Sequence, residues 1–592
     1  MHNDIHGSGK AKNSGKVFKL FVGSLKKYLF WIIVSIILSV GSAALGIFIP
    51  KILGDMTNIA VETYAEGVDF AAIQGKAILV VVLFLLSAAL NYGQAFILAV
   101  VTAKYTRDLR EKIIDKISRL PISYFDTHKY GDVLSRMTND IDVLTTSLSQ
   151  EIADITLSLT TLVGVIIIMI TISAPLSLIS FVVVALSVVV VGRIMKYAQK
   201  FFQERQKVLG SLSSRVEEDY AGQTIIKINS YEDTAEDKFN AINEELTKVT
   251  AKAQIFSSLS MPATHVFTQI GYVVVCVLGG LFVVGGQITI GGIQAFIQYV
   301  SRFNRPITEI ASSIATVQAL LASSERIFEF LGEEEEEPDI ADAQTITNVK
   351  GAVEFHDVCF SYHKGEQVIK NFSVKVEPGM KVAIVGPTGA GKTTIINLLM
   401  RFYEPDSGFI SIDGVPIREM KRSDVRALFG MVLQDTWLFS GTVEENLRYG
   451  KQSATLDEVV KASKASNAYH VIEALPKAYQ SQISEDSDNI SAGEKQLITI
   501  ARAMVANPPM MILDEATSNV DTRTEQLIQE SFEKLTSKRT SFVIAHRLST
   551  IRNSDLILVM RDGNIVEHGN HAELLKQKGF YAELYNSQFK EP

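Results

Sequence analysis

Gly386-Pro387-Thr388-Gly389-Ala390-Gly391-Lys392-Thr393 follows the apolar run Val382-Ala383-Ile384-Val385 and precedes Thr394-Ile395-Ile396-Asn397-Leu398-Leu399-Met400. A strand-like run, a glycine-rich turn and a helical pattern, in that order, fit a phosphate-binding loop. Glycines let backbone N–H groups close around phosphates, Lys392 reaches the β and γ oxygens, and the Thr393 hydroxyl ligates magnesium. Gly386 through Thr394 are therefore the candidate ATP contacts.

Outward from this loop the chain is unlike an ordinary soluble protein. Its 592 residues are 47% hydrophobic, and the mean hydropathy is +0.19. Stretches apolar enough to cross a bilayer run around Tyr28 to Ile49, Ile78 to Val101, Ala153 to Ile172, Leu176 to Val191, Val266 to Val284 and Ile290 to Val300. They predict six spans. A segment such as Leu162-Val163-Gly164-Val165-Ile166-Ile167-Ile168-Met169-Ile170 has no polar face to show to water. The net charge of -8 argues against a nucleic-acid partner, whose phosphates want a basic face. Cys276 and Cys359 stand in unrelated settings and read as small hydrophobes rather than a disulfide or metal pair.

Lys16, Lys19, Lys26 and Lys27 precede the first span, and Lys104, Arg107, Arg110, Lys112, Lys116 and Arg119 follow the second. The opposite loops carry few cations. The positive-inside rule then places the N-terminus and the soluble half in the cytoplasm, with a lipid bilayer as partner. Polar helical segments over 106–144 and 196–256 should project beyond the bilayer, with tips near Tyr124 to Lys129 and Tyr220 to Thr224. Residues 1–16 read as a disordered tail, 17–330 as the membrane domain, and 331–350 as an exposed linker containing Glu333-Glu334-Glu335-Glu336-Glu337-Pro338. Short β-rich runs alternating with helices over 351–592 give an α/β domain.

A phosphate loop alone hydrolyses nothing. Met510-Met511-Ile512-Leu513 reads as a buried strand ending in Asp514 and Glu515. Asp514 can hold magnesium beside the phosphates, and Glu515 can orient or deprotonate the attacking water.

With these residues on the page, the chain resembles an ATP-binding cassette (ABC) transporter of the exporter type, a half-transporter with six spans fused ahead of its nucleotide-binding domain. Ile122-Ser123-Tyr124-Phe125-Asp126, Gly131-Asp132-Val133-Leu134-Ser135-Arg136 and Glu325-Arg326-Ile327-Phe328 share the family's texture in the membrane half. The implied fold is multidomain: an all-α six-helix transmembrane domain, then an α/β P-loop nucleotide-binding domain. The resemblance implies that Tyr362 stacks on adenine and that Gln434 senses magnesium, joining Thr393 and Asp514 as its ligands. It makes His546 the switch histidine at the γ-phosphate, and Asp521 the end of a loop that crosses to a second nucleotide domain. The family's signature, ordinarily Leu-Ser-Gly-Gly-Gln, here reads Ile490-Ser491-Ala492-Gly493-Glu494. Ser491 and Gly493 are retained. Ala492 is expected to crowd the backbone, and Glu494 to replace a neutral amide with an anion, weakening the site this segment supplies in trans. Upstream, Ser484-Glu485-Asp486-Ser487 keeps only Glu485 of the family's Gly-Glu-Arg-Gly.

A homodimer would carry the weakened signature in both of its sites. A partner half-transporter with an ordinary signature is therefore favoured over a second copy, and Glu515 and His546 suit this chain to the hydrolytic role. The implied activity is an ATP- and magnesium-dependent translocase of the cell membrane that exports hydrophobic or amphipathic compounds, multidrug type. A homodimeric lipid or peptide exporter stands second, and an ATP-gated channel or non-transporting regulator is the reading from another class. Asn91, Gln94, Gln269, Gln294 and Gln298 are candidate cavity residues, since the spans carry almost no charge.

Overall fold

The computed structural model describes residues 14–65, 67–363, 365–434, 436–484, 490–514, 520–545 and 548–588. It divides into two units: Met1–Ser118 with Tyr130–Glu334, and Arg119–Lys129 with Glu335–Pro592.

The first unit is helical. In chain order its helices are α1 Ser14–Ser24, α2 Leu29–Glu62, α3 Phe70–Arg119, α4 Ile122–Thr127, α5 Tyr130–Ser135, α6 Ile141–Ile172, α7 Ala174–Ala221, α8 Gln223–Ile228, α9 Glu232–Ser258, α10 Ser260–Val284 and α11 Ile290–Leu331; α4 belongs to the second unit. Helices of 32 to 50 residues exceed the roughly 20 residues that a bilayer core requires, so α3 and α7 run on as the expected polar extensions. Ser173 ends α6 in an extended conformation and caps α7 by accepting from the Leu176 N–H, which makes the turn between these two spans only one residue long.

Among the described residues, five helical segments are long and apolar enough to cross a membrane by length and composition, and α11, the sixth expected span, is not among them. Gln294, Gln298, Arg302 and Arg305 interrupt its apolar run. Its packing explains why it tolerates them: Phe296 and Tyr299 are fully buried, and the Tyr299 hydroxyl donates to the Ile47 carbonyl of α2 at 2.6 Å. The tail expected over 1–16 lies outside the described residues up to 13, but Ser14 to Lys16 open α1. Val17 and Phe21, four residues apart, are buried on one face of that helix, and the Ser24 hydroxyl meets the Tyr105 hydroxyl at 2.8 Å.

The second unit is α/β. A six-stranded sheet is ordered β12-β11-β3-β10-β9-β6, with β3 Lys381–Val385, β6 Phe429–Val432, β9 Met510–Asp514, β10 Thr540–Ile544, β11 Leu556–Arg561 and β12 Asn564–Gly569. The neighbours from β11 to β6 are parallel. An antiparallel sheet β2-β1-β4-β5 joins β1 Val353–His363, β2 Glu366–Val376, β4 Ser407–Ile412 and β5 Val415–Pro416. The ribbon of β7 Gly441–Thr442 and β8 Gln482–Ile483 completes the strands. Val353, Phe355, Ile369 and Phe372 of the smaller sheet share one apolar core with Val382, Ile384, Ile512 and Phe542 of the larger. The parallel strands are continuous apolar runs because both of their faces are covered.

The acidic run departs from a free linker. Glu336 pairs with Arg426 at 3.0 Å, and Asp339 with Arg422 at 3.1 Å. The Glu336 N–H donates to the Arg119 carbonyl at 2.9 Å. The like charges are held by arginines of the α/β unit that sequence spacing could not reveal.

Candidate functional site

The site assembles at the carboxyl ends of the parallel strands, where open α/β sheets bind ligands. From β3 the chain enters Gly386–Gly391 and then the helix α12, Lys392–Leu399. Gly391 sits at the N-cap with φ +96, and a Cβ there would lie 2.7 Å from Ile369 Cδ1, so only glycine makes this turn without strain. Ala390, Gly391, Lys392 and Thr394 are buried, while Pro387, Thr388, Gly389 and Thr393 face out. The Lys392 ammonium donates to the carbonyls of Gly386 at 2.8 Å and Pro387 at 3.0 Å. Burial pushes its pKa down, opposed by the charge of Asp514. Among the described residues the ammonium is steadied by loop carbonyls and one nearby carboxylate, which fits a polyphosphate that supplies further negative charge.

Asp514 ends β9 and Gln434 lies two residues beyond the end of neighbouring β6. With Thr393 they offer oxygen ligands of the kind magnesium takes. Gln434 is exposed. Tyr362, 40% exposed near the end of β1, donates its hydroxyl to Thr394 Oγ1 at 3.1 Å, so its ring stands beside the loop. Glu515 and His546 lie outside the described residues, as does Glu485; each directly follows or nearly follows a described strand end, β9 for Glu515 and β10 for His546.

The signature segment begins the helix Ala492–Ala506, with Ser491 as N-cap. The Glu494 carboxylate accepts the Ser491 N–H and hydroxyl, each at 2.8 Å, while the Glu494 N–H donates to Ser491 Oγ at 3.4 Å. Glu494 is thus the return arm of a capping box rather than a free anion. Ala492 is exposed. Gly493 is the tight position: a Cβ there would lie 2.6 Å from Thr524 Cγ2 and 2.8 Å from Val520 Cγ1. Asp521 caps the helix Thr522–Thr536 by accepting the Thr524 N–H at 3.1 Å. Hydrogen bonds from Thr524 hold its carboxyl below the usual range.

Sequence reading missed two residues. Tyr403 packs edge-on against Tyr362, ring centroids 5.1 Å apart, and its hydroxyl donates to Asp126 of α4. Burial first, and this carboxylate second, push the Tyr403 pKa well up. Arg502 donates to the Asn446 carbonyl at 2.9 Å and the Trp437 carbonyl at 3.0 Å, bracing the chain that follows Gln434. Tyr403 belongs to Arg401-Phe402-Tyr403 and lies seventeen residues after the phosphate loop begins, where no spacing rule flags an aromatic.

A family profile described as "ABC transporter transmembrane region" matches residues 32–307, and one described as "ABC transporter" matches 369–518. A fatty acid ABC transporter ATP-binding/permease protein of Mycobacterium bovis is 47% identical over 519 residues, 88% of this chain and 82% of that protein. The chain belongs to the ABC transporters. It is a half-transporter of the exporter type and an ATPase coupled to movement of substances across a membrane. An ATP-dependent lipid A-core flippase of Desulfotalea psychrophila is 36% identical, covering 88% of this chain and 91% of that one. A putative multidrug export ATP-binding/permease protein of Bacillus subtilis is 33% identical over 97% and 99%. As a member of this family, the chain is a multi-pass membrane protein that acts as part of a dimer.

Proposed function

We propose that this half-transporter exports hydrophobic or amphipathic compounds across the cell membrane by alternating access, with its nucleotide-binding unit in the cytoplasm. It forms one half of a dimer with one consensus and one degenerate ATP site. The phosphate loop, Lys392 and Asp514 are arranged to hold nucleotide, and Thr393, Gln434 and Asp514 hold magnesium. Bound there, magnesium would neutralise the charge that develops on the phosphates. Glu515 orients the attacking water, His546 contacts the γ-phosphate, and Tyr362 stacks on the base. Ser491, Ala492, Gly493 and Glu494 face the nucleotide of the other subunit, and the loop that crosses to that subunit ends at Asp521.

The capping of Ser491 by Glu494 carries the degenerate-site reading. The donors that a γ-phosphate would need in trans are already used within the chain, by a carboxylate. Pairing with a second half-transporter that has an ordinary signature restores one full site. ATP hydrolysis by the chain alone is the test. Turnover at least tenfold below that of the co-purified pair supports the heterodimer, and equal transport-coupled turnover by the chain alone defeats it. The relatives named for fatty acids and lipid A favour lipid-like cargo as the second reading of substrate. ATP-dependent uptake into inverted vesicles, with labelled lipid and drug probes side by side, separates the two.

A further inference from the structure

Three aromatic rings close on one another beside the phosphate loop. Phe360 and Tyr362 of β1 meet edge to face with centroids 4.8 Å apart, Phe360 and Tyr403 at 5.4 Å, and Tyr362 and Tyr403 at 5.1 Å. Phe360 is buried, Tyr403 is half-buried and Tyr362 is exposed. The ring left open is the one that would carry the base. Its hydroxyl is tied to Thr394 of α12 at 3.1 Å, but that oxygen lies on the axis about which the ring turns, and this last torsion of tyrosine is broad. The bond to Thr394 therefore cannot fix the tilt of the ring plane. Edge-to-face packing can, because it prefers a set angle: the Tyr362 plane stands at 84° to Phe360 and 89° to Tyr403.

Tyr403 is itself held at both ends. Two residues before it, the buried Arg401 guanidinium donates to the carbonyls of Ile417 at 3.2 Å and Met420 at 2.7 Å, and to the Glu404 carboxylate at 2.7 Å. The Phe402 N–H donates to the Asn397 carbonyl of α12 at 2.9 Å. These bonds stiffen the backbone that carries the ring. At the far end the Tyr403 hydroxyl donates to Asp126, exposed on α4 of the same unit. A hydrogen bond to a carboxylate is stronger than one between neutral groups, so the second ring is anchored where the first is free to turn.

We propose that Tyr403 is a positioning residue for nucleotide: held by Asp126, it sets the plane of the Tyr362 ring and so governs affinity for the adenine base and not for the phosphates. The proposal rests on the stacking role read for Tyr362 and adds the pair that orients it. The full-length chain in nanodiscs is titrated with a labelled non-hydrolysable ATP analogue and, by displacement, with inorganic tripolyphosphate, which carries phosphates without the base. Tyr403→Leu removes the ring and is expected to weaken the nucleotide about three- to tenfold, while tripolyphosphate binds as to the wild type. Tyr403→Phe and Asp126→Ala each weaken the nucleotide about twofold, and the double variant loses no more than either alone, as one shared bond requires. Nucleotide and tripolyphosphate weakened together would mean general damage to the loop and overturn the inference, as would a double variant that loses the product of the two single effects. Tyr362→Ala separates the two readings. If it lowers nucleotide affinity and Tyr403→Leu does not, the inference fails and the stacking role stands; if neither does, the stacking role fails with it.

Discussion

At Ser491 one carboxylate accepts both a backbone N–H and a hydroxyl, and the charge is the part that matters for function. Glu494→Gln keeps the capping geometry, because an amide oxygen still accepts, but removes the anion that a phosphate must displace. On the proposed reading the KM for ATP of the assembled transporter falls about three- to tenfold, since a charge-assisted hydrogen bond is worth roughly twice a neutral one. Glu494→Ala loses half of the box and destabilises the helix by about 1 kcal/mol. Nucleotide titration of ATPase rate and thermal unfolding read the two effects separately. The Ser-x-x-Glu pattern at 491–494 reads as a cap in the sequence itself. The phosphate loop, by contrast, was legible because Gly391 and Lys392 answer to local backbone chemistry. Tyr403 and the partners of Asp126 depend on long-range packing that no local pattern encodes.

Among elements, the signature helix Ala492–Ala506 lies so close to the 520–524 segment that Gly493 has no room for a methyl group. Gly493→Ala should cost about 1–3 kcal/mol by overpacking and lower the unfolding temperature of the nucleotide-binding unit, a loss that Ala492→Gly, at an exposed position, does not produce. The C-terminal helices carry a pH dependence. His571 meets the Tyr581 hydroxyl at 2.7 Å, and burial, with Arg552 nearby, holds its pKa below the ordinary 6.5. The unfolded chain therefore takes up the proton first. Stability present above pH 6.5 is lost as pH falls through the lower folded value. Hydrogen exchange of the 571–588 segment should accelerate over that window, and His571→Phe should flatten the response. Strands β3 and β9 and the long helices were readable from continuous apolar runs. Helix α11 was only half readable, because Gln294, Gln298, Arg302 and Arg305 lower its hydropathy while Phe296 and Tyr299 are fully buried.

For the whole molecule, the order of membrane segment and nucleotide unit follows from the apolar stretches and the phosphate-loop pattern, and the carboxyl-end location of the site from the loop's place directly after Val382-Ala383-Ile384-Val385. The acidic run did not: Glu336 and Asp339 find Arg426 and Arg422 some ninety residues away, and charge counting cannot foresee such pairing. The central claim is that hydrolysis at the carboxylate following β9 drives export. Its most direct test is Glu515→Gln in the reconstituted transporter, with ATP binding, phosphate release and cargo movement measured on one preparation. The account predicts retained nucleotide binding, phosphate release reduced on the order of 100-fold and transport abolished; steady phosphate release and transport at the wild-type rate would contradict it.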